Sequence, residues 1–115
     1  MIGVYDSGIG GLSVWKELRA LMPQQDYVYV ADSAHCPYGE KSPEHITDRA
    51  RAVTEFLIGR GAEAVVVACN TATSAAAAEV RQKYQPHLPW PPVPASSECS
   101  LRPIPSRAAS TMILS

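Results

Sequence analysis

Cys69, Asn70 and Thr71 stand where an apolar run gives way to small polar residues, and that junction carries the strongest chemical signal in the chain. The run Val65-Val66-Val67-Ala68 follows Gly59 and Gly61 and reads as a parallel strand buried on both faces. From Ser74 the sequence turns Ala-rich, with strong helix propensity. The cysteine is therefore expected at the carboxyl end of a strand, just before a helix N-terminus, where open α/β sheets bind ligands. Free N–H groups and the positive end of the helix dipole favour an anion there, and they favour the thiolate, the reactive form of cysteine. The same residues also suit a plainer role, a small buried Cys with Asn and Thr as helix caps.

Two further stretches have the composition of a site. Asp6-Ser7-Gly8-Ile9-Gly10-Gly11 follows a short apolar strand, Ile2-Gly3-Val4-Tyr5, and its glycines let backbone turn tightly and approach a ligand. Asp32-Ser33-Ala34-His35-Cys36-Pro37-Tyr38-Gly39 follows a second strand, Tyr27-Val28-Tyr29-Val30-Ala31. The elements between them are legible. Leu12, Trp15, Leu18 and Met22 recur at helical spacing until Pro23. Ser42 suits an N-cap, Pro43 the first helical position and Glu44 the helix dipole. Ile46, Ala50, Val53 and Leu57 then share one face, and Gly61 is placed to end that helix. A third strand and an Ala-rich helix to about Tyr84 complete β-α-β-α-β-α, which implies a parallel flavodoxin-like sheet with flanking helices. All three loops, at 6–11, 32–39 and 69–73, then gather at one edge of the sheet.

Composition removes several classes of function. A net charge of −1 leaves no electrostatic footprint for nucleic acid or an anionic membrane. No apolar run approaches the roughly 20 residues that span a bilayer, and residues 1–6 lack the pattern of a secretory signal. Cysteines at 36, 69 and 99 form no CxxC pair and no zinc spacing, so no metal site is expected and a reducing cytoplasm suits the chain. His35 and His45 are expected to be surface or packing residues, and Cys36 a small buried side chain.

The glycine loop admits more than one ligand. A dinucleotide fingerprint needs a third small residue, met by Ser13, and an acid roughly 20 residues on; Asp32 stands 24 beyond Gly8, and no Walker lysine follows. The same glycines suit a carboxylate, while Asp6 suits an ammonium group, a pairing that fits an α-amino acid. Three readings follow: an amino-acid enzyme, an amino-acid-binding module without turnover, and a flavodoxin-like nucleotide-binding domain.

Asp6-Ser7-Gly8-x-Gly10-Gly11-Leu12-Ser13, then Pro37-Tyr38-Gly39-Glu40-Lys41-Ser42, then Val67-Ala68-Cys69-Asn70-Thr71-Ala72-Thr73 resemble the amino-terminal half of bacterial glutamate racemase. The resemblance covers about residues 1–84. It implies a cofactor-independent enzyme of two similar α/β domains that supplies D-glutamate for peptidoglycan. In that family two cysteines flank the α-carbon of glutamate: one thiolate takes the α-proton and the other thiol returns a proton to the opposite face. By motif, Cys69 is the first of these, and Asp6, Ser7, Tyr38, Gly39, Asn70 and Thr71 fall on substrate-contacting positions. The chemistry demands both cysteines, because a single base returns the proton to the face it left.

The sequence departs from that pattern after Tyr84. Residues 85–115 hold seven of the ten prolines and show no helical or alternating period, so an irregular tail is expected. Cys99, in Ser97-Glu98-Cys99-Ser100, has neither the neighbours nor the preceding strand of a second catalytic cysteine. The change in character resembles a truncation or a shifted reading frame. An incomplete, inactive racemase domain is the resulting expectation, with the third strand's edge uncovered and open to self-association.

Overall fold

The computed structural model describes residues 1–84; the expectations for the 85–115 tail and for Cys99 lie outside the described residues. Three parallel strands, β1 (Ile2–Asp6), β2 (Tyr27–Ala31) and β3 (Ala64–Val67), form a sheet in the order β2-β1-β3. Helices α1 (Leu12–Leu21), α2 (Pro43–Gly59) and α3 (Asn70–Tyr84) follow them in alternation. Ile2 pairs with Tyr27 on one side and Ala64 on the other, while Tyr5 pairs with Val30 and Val67. The expected α/β architecture is therefore present, with β1 at the centre and all three strands ending on one edge.

Alternation along the strands divides the core in two. Ile2, Val4, Ala64 and Val66 pack with Leu18, Trp15 and Met22 beneath α1. Tyr5, Val65 and Val67 face the other way and pack with Ile46, Ala50, Val53 and Leu57 of α2 and Ala72, Ala76 and Val80 of α3. Side chains on both faces of β3 are buried, as its unbroken apolar run requires. The four α2 positions at helical spacing are all buried, whereas Leu12 of α1 is 42% exposed. Its place in the first turn of α1 sets it at the open edge of the sheet, beyond the core.

Both ends of α2 form as their residues dictate. The Ser42 hydroxyl accepts from the His45 amide at 3.2 Å, with Pro43 in the first turn. At the far end Gly61 takes φ of 91°, and its N–H bonds Ile58 O while the Ala62 N–H reaches Leu57 O. That pair of reversed bonds is a Schellman turn, and it needs the glycine. Gly3 answers a different demand: a Cβ there would stand 2.9 Å from Leu57 Cδ1, so the central strand must be bare for α2 to lie against it.

Candidate functional site

The end of β3 differs from the sequence expectation in one respect. α3 begins at Asn70, four residues ahead of the Ala-rich segment, so the loop expected over 69–73 shrinks to Ala68 and Cys69. The reason is local capping. The Cys69 carbonyl accepts from the Thr73 N–H at 2.9 Å and from Thr73 Oγ1 at 2.8 Å. The Cys69 sulfur accepts from the Ala72 N–H at 3.4 Å. Sulfur thus occupies the position where an N-cap Ser or Asp would put its oxygen. Asn70 and Thr71 lie in the first helical turn, the former exposed and the latter half-buried.

Cys69 is buried, and its thiol also points across the edge of the sheet to Ser7 Oγ, 3.5 Å away. This contact joins the end of β3 to the loop after β1. The loop is held by the residue that starts it: Asp6 Oδ1 accepts from the Ser7 N–H at 2.8 Å and Oδ2 from the Gly11 N–H at 2.7 Å. The Tyr29 hydroxyl reaches under the same loop, 3.0 Å from Gly8 O and 3.3 Å from Asp6 Oδ2. Burial, with the Asp6 charge next, pushes the Tyr29 phenol up to about 12, so it stays a donor. Gly11 is required by contact: a Cβ there would lie 2.8 Å from Ala68 Cβ and 3.0 Å from Asp6 Cβ. Two amides of the loop are thereby turned inward onto Asp6.

The third stretch folds as two short 3₁₀ turns, Ser33–His35 and Tyr38–Glu40. Tyr38 is buried and its hydroxyl donates to Asp32 Oδ2 at 2.5 Å. With that proton committed, Tyr5 donates to the Tyr38 oxygen, also at 2.5 Å. Arg49 of α2 binds Asp32 with both arms of its guanidinium, Nε at 2.9 Å and Nη2 at 2.8 Å, and His35 Nδ1 lies 3.1 Å from the same carboxylate. The Arg49 bonds chiefly, then those from Tyr38 and His35, hold the Asp32 carboxyl down to about 2 despite its burial. Burial and the Asp32 bond push the Tyr38 phenol far above its ordinary range.

Gly39 is exposed, with nothing within 4 Å of where its Cβ would be. Tyr38 is different: its hydroxyl is consumed inside the protein, so the accessible part of this turn is backbone. Cys36 is exposed, contrary to the expectation of a buried side chain. Tyr38 takes the interior place in this short segment, and Cys36 lies instead over the first loop, 3.9 Å from a Cβ built on Gly8. His35 packs on His45 with ring centroids 5.8 Å apart, and no cluster among the described residues could hold a metal ion. An open cleft of about 320 Å³ between α2 and α3, lined by Glu44, Asp48, Arg51 and Glu79, contains none of these groups.

Asp6, Ser7 and Cys69 thus meet at the junction of β1 and β3, and Asn70 and Thr71 follow in the first turn of α3. Tyr38 and Gly39 occupy the neighbouring turn, with Cys36 reaching back to Gly8. Arg49, Tyr5 and Tyr29 are the residues that sequence reasoning missed. A signal existed for Arg49, which lies 3 residues after Ile46 and 4 before Val53, on the apolar face of its helix. Asp32, the acid that a dinucleotide reading would assign to a ribose, is already surrounded by donors.

No family model matches the chain. Individual proteins do. Glutamate racemase of Ectopseudomonas mendocina is 59% identical over 88 residues, which are 76% of this chain and 33% of that protein. The crystal structure of glutamate racemase from Thermus thermophilus in complex with beta-chloro-D-alanine superposes with a TM-score of 0.69 at 45% identity, covering 71% of this chain and 32% of that one. That of Escherichia coli glutamate racemase in complex with L-glutamate and the activator UDP-MurNAc-Ala gives 0.68 at 42%, over 71% and 31%. The chain spans about a third of the length of the relatives it matches. On sequence and fold together, the chain is similar to that third of a glutamate racemase.

Proposed function

We propose that residues 1–84 carry one of the two acid–base half-sites of a glutamate racemase, with Cys69 as its catalytic thiol. The observation that supports this reading is the position of the Cys69 sulfur. It caps the first turn of α3 by accepting from the Ala72 N–H, and it faces Ser7 across the edge of the sheet. In the forward step the Cys69 thiolate takes the α-proton of glutamate, leaving a carbanion beside the carboxylate and a neutral thiol. Asp6, Ser7, Asn70 and Thr71 border the space where the amino acid would lie, and the Tyr38–Gly39 turn flanks it. Proton return to the opposite face requires a second acid. Cys36 lies in the loop cluster of the same sheet edge, so it does not supply the opposite face. We therefore propose that this chain alone does not racemise glutamate, and that the β3 edge, unpaired among the described residues, favours self-association. The thiol chemistry suits a reducing cytoplasm; among the described residues no helix is long and apolar enough to cross a membrane.

Ligand-dependent melting tests the substrate class. Glutamate should raise the melting temperature, while NAD and ATP should not. Stabilisation by a nucleotide alone would reject the glutamate reading in favour of a nucleotide-binding domain. Turnover is tested separately in deuterated water. No loss of optical rotation from L-glutamate is expected. Racemisation abolished by Cys69→Ser would show that a second thiol reaches the site after all.

A further inference from the structure

The ion pair between half-buried Arg49 and buried Asp32 joins α2 to the loop that follows β2. We propose that Arg49 is a positioning residue: by clamping Asp32 it fixes the 32–40 loop, and with it the Tyr38–Gly39 turn, against the end of β1. This rests on the glutamate reading only insofar as Tyr38 and Gly39 border a ligand.

Asp32 makes the loop's last backbone hydrogen bond to the sheet, through its N–H to Asp6 O at 2.9 Å. Beyond it the loop is held by its short 3₁₀ turns and by side chains that converge on the Asp32 carboxylate. Arg49 supplies two of the four donors, in the parallel fork that a carboxylate matches. Tyr38 supplies a third from the far turn, and His35 faces the carboxylate from the near one. Tyr5 of β1 completes the chain through the Tyr38 hydroxyl. The network thus links β1, β2, both turns and α2 through a carboxylate whose side chain is only 7% exposed. Without Arg49 that carboxylate would remain buried and under-compensated, and water entering to solvate it would displace Tyr38. A lysine would retain the charge but not the fork.

Arg49→Met, Arg49→Lys and, as a control on the same helix, Arg51→Met are compared by amide hydrogen exchange and by calorimetric titration with glutamate. Arg49→Met should speed exchange of the Cys36 and Lys41 amides, which close the two turns, and weaken glutamate binding, each by about tenfold. Amides of β1 and β3 should stay protected. Arg49→Lys should fall between wild type and Met, and Arg51→Met should match wild type. Unchanged loop exchange in Arg49→Met overturns the proposal, and so does a loss of protection spread evenly over the whole sheet. If Arg49→Met does not fold, Arg49→Lys decides: selective loosening of the loop supports the clamp, and wild-type exchange rejects it. Should the wild-type chain bind no glutamate, the substrate reading fails, while the exchange data still decide the role of Arg49.

Discussion

Ser7 Oγ and Cys69 Sγ lie 3.5 Å apart although 62 residues separate them in the chain. The contact exists because β1 and β3 are neighbours in the sheet and end at the same level. Cys69 has two roles there, as the thiol of the site and as the cap of α3, and substitution can separate them. Cys69→Ser keeps a cap acceptor and is expected to melt within a few degrees of wild type. Cys69→Val loses it and should cost about 1 kcal/mol. Thermal or urea melts of the two variants check this; equal stability would mean that the sulfur does not act as a cap.

Acid should weaken the protein through Asp32. Its folded carboxyl sits at about 2, below the ordinary value of 3.8. The stabilisation is therefore complete above about pH 4 and lost as pH falls toward 2. It amounts to roughly 2 kcal/mol, since each unit of displacement is worth about 1.4 kcal/mol. Urea unfolding from pH 5 to pH 2 should show this fall in the wild type and a flatter profile in Asp32→Asn. Parallel profiles would place the acid sensitivity elsewhere.

Two glycines should respond to alanine in opposite directions. At Gly11 a methyl would meet Ala68, Tyr29 and Asp6 within 3.0 Å, so the end of β3 and the first loop must part. A cost of about 2 kcal/mol is expected for this overpacking. At Gly59, the last residue of α2, nothing lies within 4 Å. Gly59→Ala should gain about 0.5 kcal/mol by helix propensity. Urea midpoints measure both, and a Gly11→Ala variant as stable as wild type would contradict the packing described for the loop.

Much of this arrangement is written locally. The β-α-β-α-β-α order, the Ser42 cap and the Gly61 turn each follow from a few adjacent residues whose conformational demands leave little choice. The strand ends that gather Asp6, Asp32 and Cys69 follow from parallel topology. Long-range polar contacts were not legible. Arg49 reaches Asp32 across 17 residues and Tyr29 reaches Asp6 across 23, and the type of a polar residue does not name its partner. The early start of α3 is illegible in the sequence for a related reason. Cysteine is a rare cap, so propensity marks the Ala-rich segment and overlooks the sulfur that begins the helix.

The sheet order leaves β3 with a strand partner on one side only among the described residues. Its side chains are buried, so the free feature is a row of backbone donors and acceptors on an edge without Pro or Lys. Reduced protein is expected to self-associate as its concentration rises. Sedimentation over a hundredfold range checks this, and a monomer throughout would show that the edge is covered.

The central claim is that glutamate lies against Cys69, and alkylation of that thiol tests it most directly. Reduced protein is treated with iodoacetamide, and modification at Cys36 and Cys69 is followed separately by peptide mass spectrometry, with and without glutamate. The account predicts that saturating glutamate slows modification of Cys69 at least tenfold, that glutarate, which lacks only the amino group, protects less well, and that Cys36 is slowed far less. An unchanged rate at Cys69 under saturating glutamate would contradict it.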